Sequence, residues 1–463
     1  MIVAPVQTLG RRAWRFWRDE ASLRARLVSI SHLLTGNLLG TVVGMLGFLV
    51  TARALGVTDY GVLALTYSYT RAVGLLVGFQ SWQPLIKYGA GLEGPEHLDD
   101  YRSLLKFGLV VDVSAALLSY LVAIGFAVLF GPLVDIGADT IKQVVIYSTV
   151  LLFQINGLPT AIFRLAGRFR LMAYGSIVGG IVRLVLCVAG LLAGAGLLYF
   201  VVVWTLSQVI GSLVVLGLSL LELRRQGMRG LISAPLKGVT KRFKGLLSFA
   251  IGSNVELTVR TSASEFDTLL VGAFTDPAGA GLYHIAKRLG RLVLQIGVQV
   301  QAVLYPDVAR LWAKGDLAMF RRTVLQTEIM LAAFGVVMVV CTALAIQPVL
   351  HLMVGPEFAG SGPLAIVQMI AVAISLSGSA LRTALLATGR QLAVLKVVLV
   401  STLMFHATAL TMIPLIGAMG ANIANVVMGT VGLVGLLRVY HVAVAAPPQG
   451  APSPASLGNE EPG

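Results

Sequence analysis

Apolar residues run along this chain in long stretches, separated by short clusters of Gly, Pro, Arg and Lys. A bilayer-crossing helix needs about 20 such residues. The pattern predicts helices over 30–52, 61–86, 104–130, 142–164, 172–193, 197–221, 246–272, 281–305, 323–350, 363–387, 391–413 and 418–440. The seventh is the least apolar, because it carries Glu256, Arg260, Glu265 and Asp267. The expected fold is therefore all-α, with about twelve transmembrane helices joined by short loops.

Composition agrees. Of 463 residues, 57% are hydrophobic and 12% charged, and mean hydropathy is +0.86. Charged residues stand at about half the share usual in soluble domains. A soluble enzyme, a disordered chain and a disulfide-stapled secreted scaffold are excluded. Cys187 and Cys341 lie in apolar runs and imply neither a disulfide nor a metal site.

The net charge of +14 has a topological origin. Basic residues gather in a terminal arm over 1–29 (Arg11, Arg12, Arg15, Arg18, Arg24, Arg26) and in the even-numbered connections. Those connections hold Lys87, Arg102 and Lys106; Arg164, Arg168 and Arg170; a dense linker over 222–245; Arg310, Lys314, Arg321 and Arg322; and Arg390. The odd-numbered connections hold only Arg53 and Lys142. Positive charge marks the cytoplasmic side, so both termini are expected there and nucleic acid is not an expected partner. The Trp14–Arg18 segment suits a membrane-surface arm, and the proline-bearing tail over 441–463 is expected to be disordered.

The linker divides the spans six and six. Leu55–Val62 echoes Ala273–Asp276 followed by Gly281–Tyr283; Leu165-Ala166-Gly167-Arg168 echoes Leu386-Ala387-Thr388-Gly389-Arg390; and Gly36-Asn37 echoes Ser253-Asn254. The offsets are nearly constant. Two pseudo-symmetric six-helix lobes, 30–221 and 246–440, are expected around a central cavity, an arrangement typical of transporters.

At the level of motifs, the chain resembles the polysaccharide-export branch of the multidrug/oligosaccharidyl-lipid/polysaccharide exporter superfamily, the Wzx-type flippases of lipid-linked sugars. The resemblance rests on Ala52-Arg53-Ala54-Leu55-Gly56 with Asp59-Tyr60-Gly61, on Gly281-Leu282-Tyr283-His284-Ile285-Ala286, and on Pro306 with Ala309-Arg310-Leu311. Gly355-Pro356-Glu357-Phe358 and Leu386–Arg390 complete it, and it covers about residues 25–440. One departure stands out: the family often places a basic residue before the seventh-span aspartate, whereas this chain reads Ser264-Glu265-Phe266-Asp267. The resemblance implies a multi-pass protein of the bacterial inner membrane. It would move a polyprenyl-diphosphate-linked oligosaccharide between leaflets by alternating access, for O-antigen, capsule or exopolysaccharide. Membrane lipids and polysaccharide polymerase or export machinery would be its partners, with H+ or Na+ as a coupling ion.

Charges inside the spans carry the candidate chemistry, since an ionisable group there normally faces protein or water. On the eighth span, His284, Lys287, Arg288, Arg291, Gln295 and Gln299 fall within about 120° of arc at 100° per residue. Arg71 follows Gly61 as Arg291 follows Gly281, which makes the two arginines repeat partners. A cationic cavity around Arg71, Arg260, Lys287, Arg288 and Arg291 is expected, and planar guanidinium forks suit phosphate oxygens. His284 is the one histidine placed in it. Two readings stay open for Glu256, Glu265 and Asp267. One of them exchanges an ion, or Glu256 pairs with Arg260 while Asp267 neutralises Lys287 or Arg288. Glu265 is expected to point away from Asp267. Arg183 is expected to pair with Asp112 or to enter the cavity. The Gly36, Gly40, Gly44 stripe suits close helix packing or a bending point.

No Walker A sequence, zinc-protease motif or nucleophile elbow appears. The chain is expected to be neither an ATP-driven pump nor an enzyme, with no cofactor and no metal. The alternatives to a flippase are an ion-coupled exporter of drugs or other small molecules within the same superfamily, and a non-transporting scaffold.

Overall fold

A computed structural model describes residues 6–92, 95–134, 137–228 and 230–445. Side chains are described from Gly40 to Ala443, except those of Thr41, Pro95, Leu133, Val134, Phe169, Arg260, Ala302 and Val303. The side chains of the basic arm, Gly36 of the glycine stripe and most of the expected tail lie outside these residues. Helices run in the order α1 (Val6–Leu76), α2 (Trp82–Gly89), α3 (Leu98–Phe130), α4 (Ala138–Ser148), α5 (Gly157–Leu165), α6 (Phe169–Leu192), α7 (Leu197–Arg225) and α8 (Val239–Arg242). They continue with α9 (Leu246–Phe274), α10 (Pro277–Ala313), α11 (Leu317–Met353), α12 (Ser361–Ser377), α13 (Ser379–Ala387), α14 (Gln391–Ile416) and α15 (Ala418–Ala445). Helix α15 thus continues into the stretch expected to begin the tail.

Among the described residues, ten helical stretches are long and apolar enough to cross a membrane. The difference from twelve has two local causes. Val42–Leu76 counts as one stretch, yet it is kinked at Gly56 (φ 71, ψ 179) and holds parts of the first two expected spans. In α9 only Leu246–Val259 is strongly apolar, because ionisable residues follow it. The chain is a multi-pass α-helical membrane protein.

The chain forms two compact units. The first comprises 1–54 and 69–258; the second comprises 55–68 and 259–463. The segment 55–68 and the first half of α9 therefore lie on the other side of the division from the lobes expected by sequence.

In the first unit, α6 and α7 approach closely at small residues. A β-carbon on Gly175 would fall 2.7 Å from the Gly211 carbonyl oxygen, and one on Gly179 would fall 2.8 Å from that of Ser207. Such stripes let backbones meet where lipid offers no hydrophobic drive for association. Of the anticipated stripe on α1, a β-carbon on Gly40 would fall 3.4 Å from Ser176 Cβ, whereas one on Gly44 would meet open space. The linker is built into the unit: Leu223 and Val239 pack with Leu85, Leu104, Leu158 and Leu246, flanked by Met228, Leu231 and Phe243.

In the second unit, Tyr283, Phe405, Ala409, Ile413, Ala421 and Ala424 form one core, and Leu304, Val308, Phe320, Leu381 and Leu385 another. Its helix starts are legible. Asp276 accepts from the Gly279 N–H at 2.6 Å ahead of Pro277, and Asp316 accepts from Met319 N–H at 3.0 Å. Both are side-chain caps for otherwise orphaned donors. Leu325, Ile329, Val336, Val337, Val340 and Leu344 of α11 are exposed, as a lipid-facing surface requires.

Both units break a span in the same way. In the first, the span of α4 and α5 is interrupted at 154–156; in the second, the span of α12 and α13 is interrupted at Gly378. Each following half-helix has 9 residues. Each then ends in the Gly-Arg turn noted in the sequence, with Gly167 at φ 66 and Gly389 at φ 78. This left-handed conformation closes a helix and suits glycine.

Candidate functional site

The acidic half of α9 and the basic stripe of α10 meet inside the second unit. Lys287 is buried, and its ammonium forms an ion pair with Asp267. It also donates to the Ser264 carbonyl at 2.7 Å and to Thr268 Oγ1 at 3.2 Å. All three ammonium protons thus have acceptors, which is what makes a buried lysine tolerable. Tyr283 donates to Asp267 Oδ2 at 2.8 Å, and the Asn425 amide donates to the Tyr283 hydroxyl at 3.0 Å and to Gln368 Oε1 at 3.5 Å. Asp267 therefore anchors a network drawing on α9, α10, α12 and α15.

Arg291 is half-buried. It donates to the Ser264 carbonyl at 3.0 Å and lies 3.7 Å from Glu265. This corrects the expectation that Glu265 turns away from the site. Two positions along a helix separate Glu265 and Asp267 by about 200°, but the long arginine stem reaches the farther acid. Arg288 stacks over Tyr67, its guanidinium carbon 5.6 Å from the ring centroid. Tyr60 and His284 share a hydrogen bond of 2.8 Å. His284 is 3% exposed and sits beside Tyr60 and Tyr67, so it is a packed core residue, not a cavity-lining one.

The remaining expected site residues are Arg71, Glu256 and Arg260. Arg71 belongs to the first unit and is exposed. Glu256 is half-buried on the part of α9 that belongs to the first unit. The side chain of Arg260 lies outside the described residues, so its pairing with Glu256 does too.

The first unit shows a second correction. Arg183 does not pair with Asp112. Its Nε donates to Ser207 Oγ at 3.1 Å, and its guanidinium lies 5.4 Å from the ring of Phe48 and 5.3 Å from that of Trp204. Asp112 instead accepts from the Ser81 N–H at 3.2 Å and the Leu158 N–H at 2.8 Å. These donors stand at the starts of α2 and α5, where broken spans expose N–H groups. Glu328 on α11 lies near the N–H groups of Ala380 and Leu381 at the start of α13, although its Oε2 has no hydrogen-bond partner among the described residues. The sequence reading missed these acids in this role because it took both spans as continuous.

The motif residues also converge within the second unit. A β-carbon on Gly61 would fall 1.7 Å from the Pro277 carbonyl oxygen, and one on Gly281 would fall 2.7 Å from that of Val57. Tyr60 packs on Phe358 with centroids 5.9 Å apart, and the Glu357 carboxylate sits beside Gly56. Gly61 and Gly281 of these motifs are therefore sites of backbone approach.

A family model described as polysaccharide biosynthesis protein matches residues 50–363. The chain belongs to this family. An inner membrane protein, YghQ of Escherichia coli (strain K12), is 22% identical over 346 residues, covering 74% of this chain and 96% of that protein. The fold is that of lipid II flippase MurJ in an inward closed conformation, with a TM-score of 0.70 at 14% identity, covering 88% of this chain and 87% of MurJ. It also matches an inward-facing multidrug resistance MATE transporter of the MOP superfamily, with a TM-score of 0.66 at 13% identity, covering 87% of this chain and 95% of that one. The family and fold bear out the resemblance drawn from the motifs. By name, the two solved structures are a flippase and a transporter.

Proposed function

We propose that this protein is a flippase of the bacterial inner membrane that moves a polyprenyl-diphosphate-linked oligosaccharide from the cytoplasmic to the outer leaflet, for surface polysaccharide biosynthesis. The carrying observation is the excess of positive charge on α10. Lys287, Arg288 and Arg291 stand on one stretch of a membrane helix; Lys287 pairs with Asp267 of α9, and Arg291 lies 3.7 Å from Glu265 of α9. Three cations along one stretch of a membrane helix suit an anionic ligand, and a diphosphate is one. On this reading Arg288, presented on the Tyr67 ring, is the first diphosphate ligand. Arg291 joins it by exchanging its long contact with Glu265 for phosphate oxygens, and Arg71 and Arg260 are proposed as further ligands from their place in the sequence alone. Lys287 holds the site together through Asp267 and does not bind substrate.

The family and the name of the Escherichia coli relative support the pathway and the membrane; basic even-numbered connections support cytoplasmic termini. Small-molecule export is the competing reading. Transport of a fluorescent polyprenyl-diphosphate disaccharide into the protected leaflet of proteoliposomes separates them. The wild-type protein is expected to move it, and Arg288→Gln to lower the rate at least tenfold, the loss of a charge-assisted contact. Unchanged transport by Arg288→Gln would contradict the assignment. Transport of a cationic dye with none of the lipid would favour the exporter.

A further inference from the structure

The first unit holds a polar niche that no lysine or arginine lines. It lies where the end of α1, α3, the 154–157 turn and the first half of α9 meet, and Gln80, Asp112, Ser119, Gln154, Asn156 and Asn254 supply its polar groups. The niche is held rigidly. The Gln80 N–H donates to Asn254 Oδ1 at 2.8 Å, Asn254 Nδ2 donates to Ala250 O at 2.9 Å, and Trp82 Nε1 donates to Gln80 Oε1 at 3.1 Å.

Some of its hydrogen-bonding capacity is unmet. Ser119 is 2% exposed, and its hydroxyl has no partner. The side-chain amide of Asn156 makes no cap bond to α5, and the amide of Gln154 makes no hydrogen bond among the described residues. Buried polar groups normally find partners, so the Ser119 hydroxyl calls for a ligand or water, and the half-buried Gln154 and exposed Asn156 amides beside it are open to the same ligand.

We propose that the niche is a sugar subsite that takes hydroxyl groups of a glycan headgroup. The proposal rests on the flippase reading and deepens it, by separating what holds the sugar from what holds the diphosphate. Amides and a hydroxyl each donate and accept without net charge, as sugar hydroxyls do. A phosphate would meet the Asp112 carboxylate with no cation beside it. An apolar group would leave the amides unpaired. An inorganic cation would have to compete with the positive ends of two half-helices for Asp112.

Native mass spectrometry of the full chain in detergent tests this. The protein is mixed with equal amounts of bare undecaprenyl diphosphate and of glycosylated undecaprenyl-diphosphate lipids extracted from cells lacking this chain. The wild-type protein is expected to retain the glycosylated lipids about tenfold over the bare one, and Gln154→Ala/Asn156→Ala to bring the ratio close to one with bare-lipid binding unchanged, as loss of two neutral hydrogen bonds implies. Ser119→Ala, which removes only an unpartnered hydroxyl, is expected to lower the ratio about threefold and serves if the double variant does not fold. A ratio near one for the wild-type protein, or one unaltered in the variants, would overturn the sugar subsite while leaving the flippase reading standing. Binding of neither lipid would overturn the flippase reading itself. Thermal protection by sodium that vanishes in Asp112→Asn would assign the niche to a cation and overturn the proposal.

Discussion

Asp112 and Asp267 are both buried carboxylates within apolar helices, one in each unit, and they are satisfied by different means. Asp267 meets an ammonium, a phenol and a hydroxyl from side chains. Among the described residues, Asp112 meets no cation and accepts from two backbone N–H groups. The difference follows continuity of the neighbouring helices. Around Asp267, α9 and α10 are unbroken; apart from the adjacent Thr268 N–H, which donates to its Oδ1 at 2.6 Å, the partners of Asp267 are side chains, and its charged partner is one of them. Around Asp112, two spans break, and the half-helices α2 and α5 present free N–H groups with the positive end of their dipoles. Glu328 is placed similarly in the second unit, near the start of α13.

The comparison breaks most readily at Lys287. Lys287→Met leaves a buried carboxylate without its cation and is expected to destabilise the protein by about 3–5 kcal/mol. The double variant Asp267→Asn/Lys287→Met is expected to recover most of that. Thermal melting in detergent reads both, and a single variant as stable as the wild-type protein would show that the ion pair is not what satisfies Asp267.

A smaller effect is expected at Asp112. Asp112→Ala orphans two N–H groups and is expected to cost about 2 kcal/mol, whereas Asp112→Asn retains an acceptor oxygen and is expected to cost about 1 kcal/mol. Equal losses from the two variants, again read by melting, would mean that the negative charge matters and the acceptor does not. The contrast with Asp267 would then disappear.

Much of the fold was legible because spanning helices follow from apolar run length and topology from where Arg and Lys gather. The helix starts at Asp276 and Asp316 and the Gly-Arg turns at Gly167 and Gly389 carry local signals of one or two residues. The breaks within spans are less plain against their apolar surroundings. That at 154–156 is marked by Gln154, Asn156, Gly157 and Pro159 inside a long apolar run, whereas Gly378 is one glycine among many. Missing the breaks meant assigning Asp112 to Arg183, the nearest basic residue in depth, when the donors were backbone. The stripe Lys287, Arg288, Arg291 was legible from helical periodicity, because α10 is continuous there. How its charges divide was not, since that depends on which carboxylates of α9 come within reach of it. The Asp267–Tyr283–Asn425–Gln368 network draws on residues far apart in sequence and left no periodic trace.

The most direct test of a lipid-linked glycan as cargo is leaflet access in cells. Lipids from a strain lacking this chain are analysed by mass spectrometry, with and without prior treatment of spheroplasts with a membrane-impermeant glycan-cleaving enzyme. Accumulation of a polyprenyl-diphosphate oligosaccharide protected from the enzyme, and made accessible when the wild-type chain is restored, is the predicted result. Absence of any such lipid, with surface polysaccharide still produced, would contradict the account.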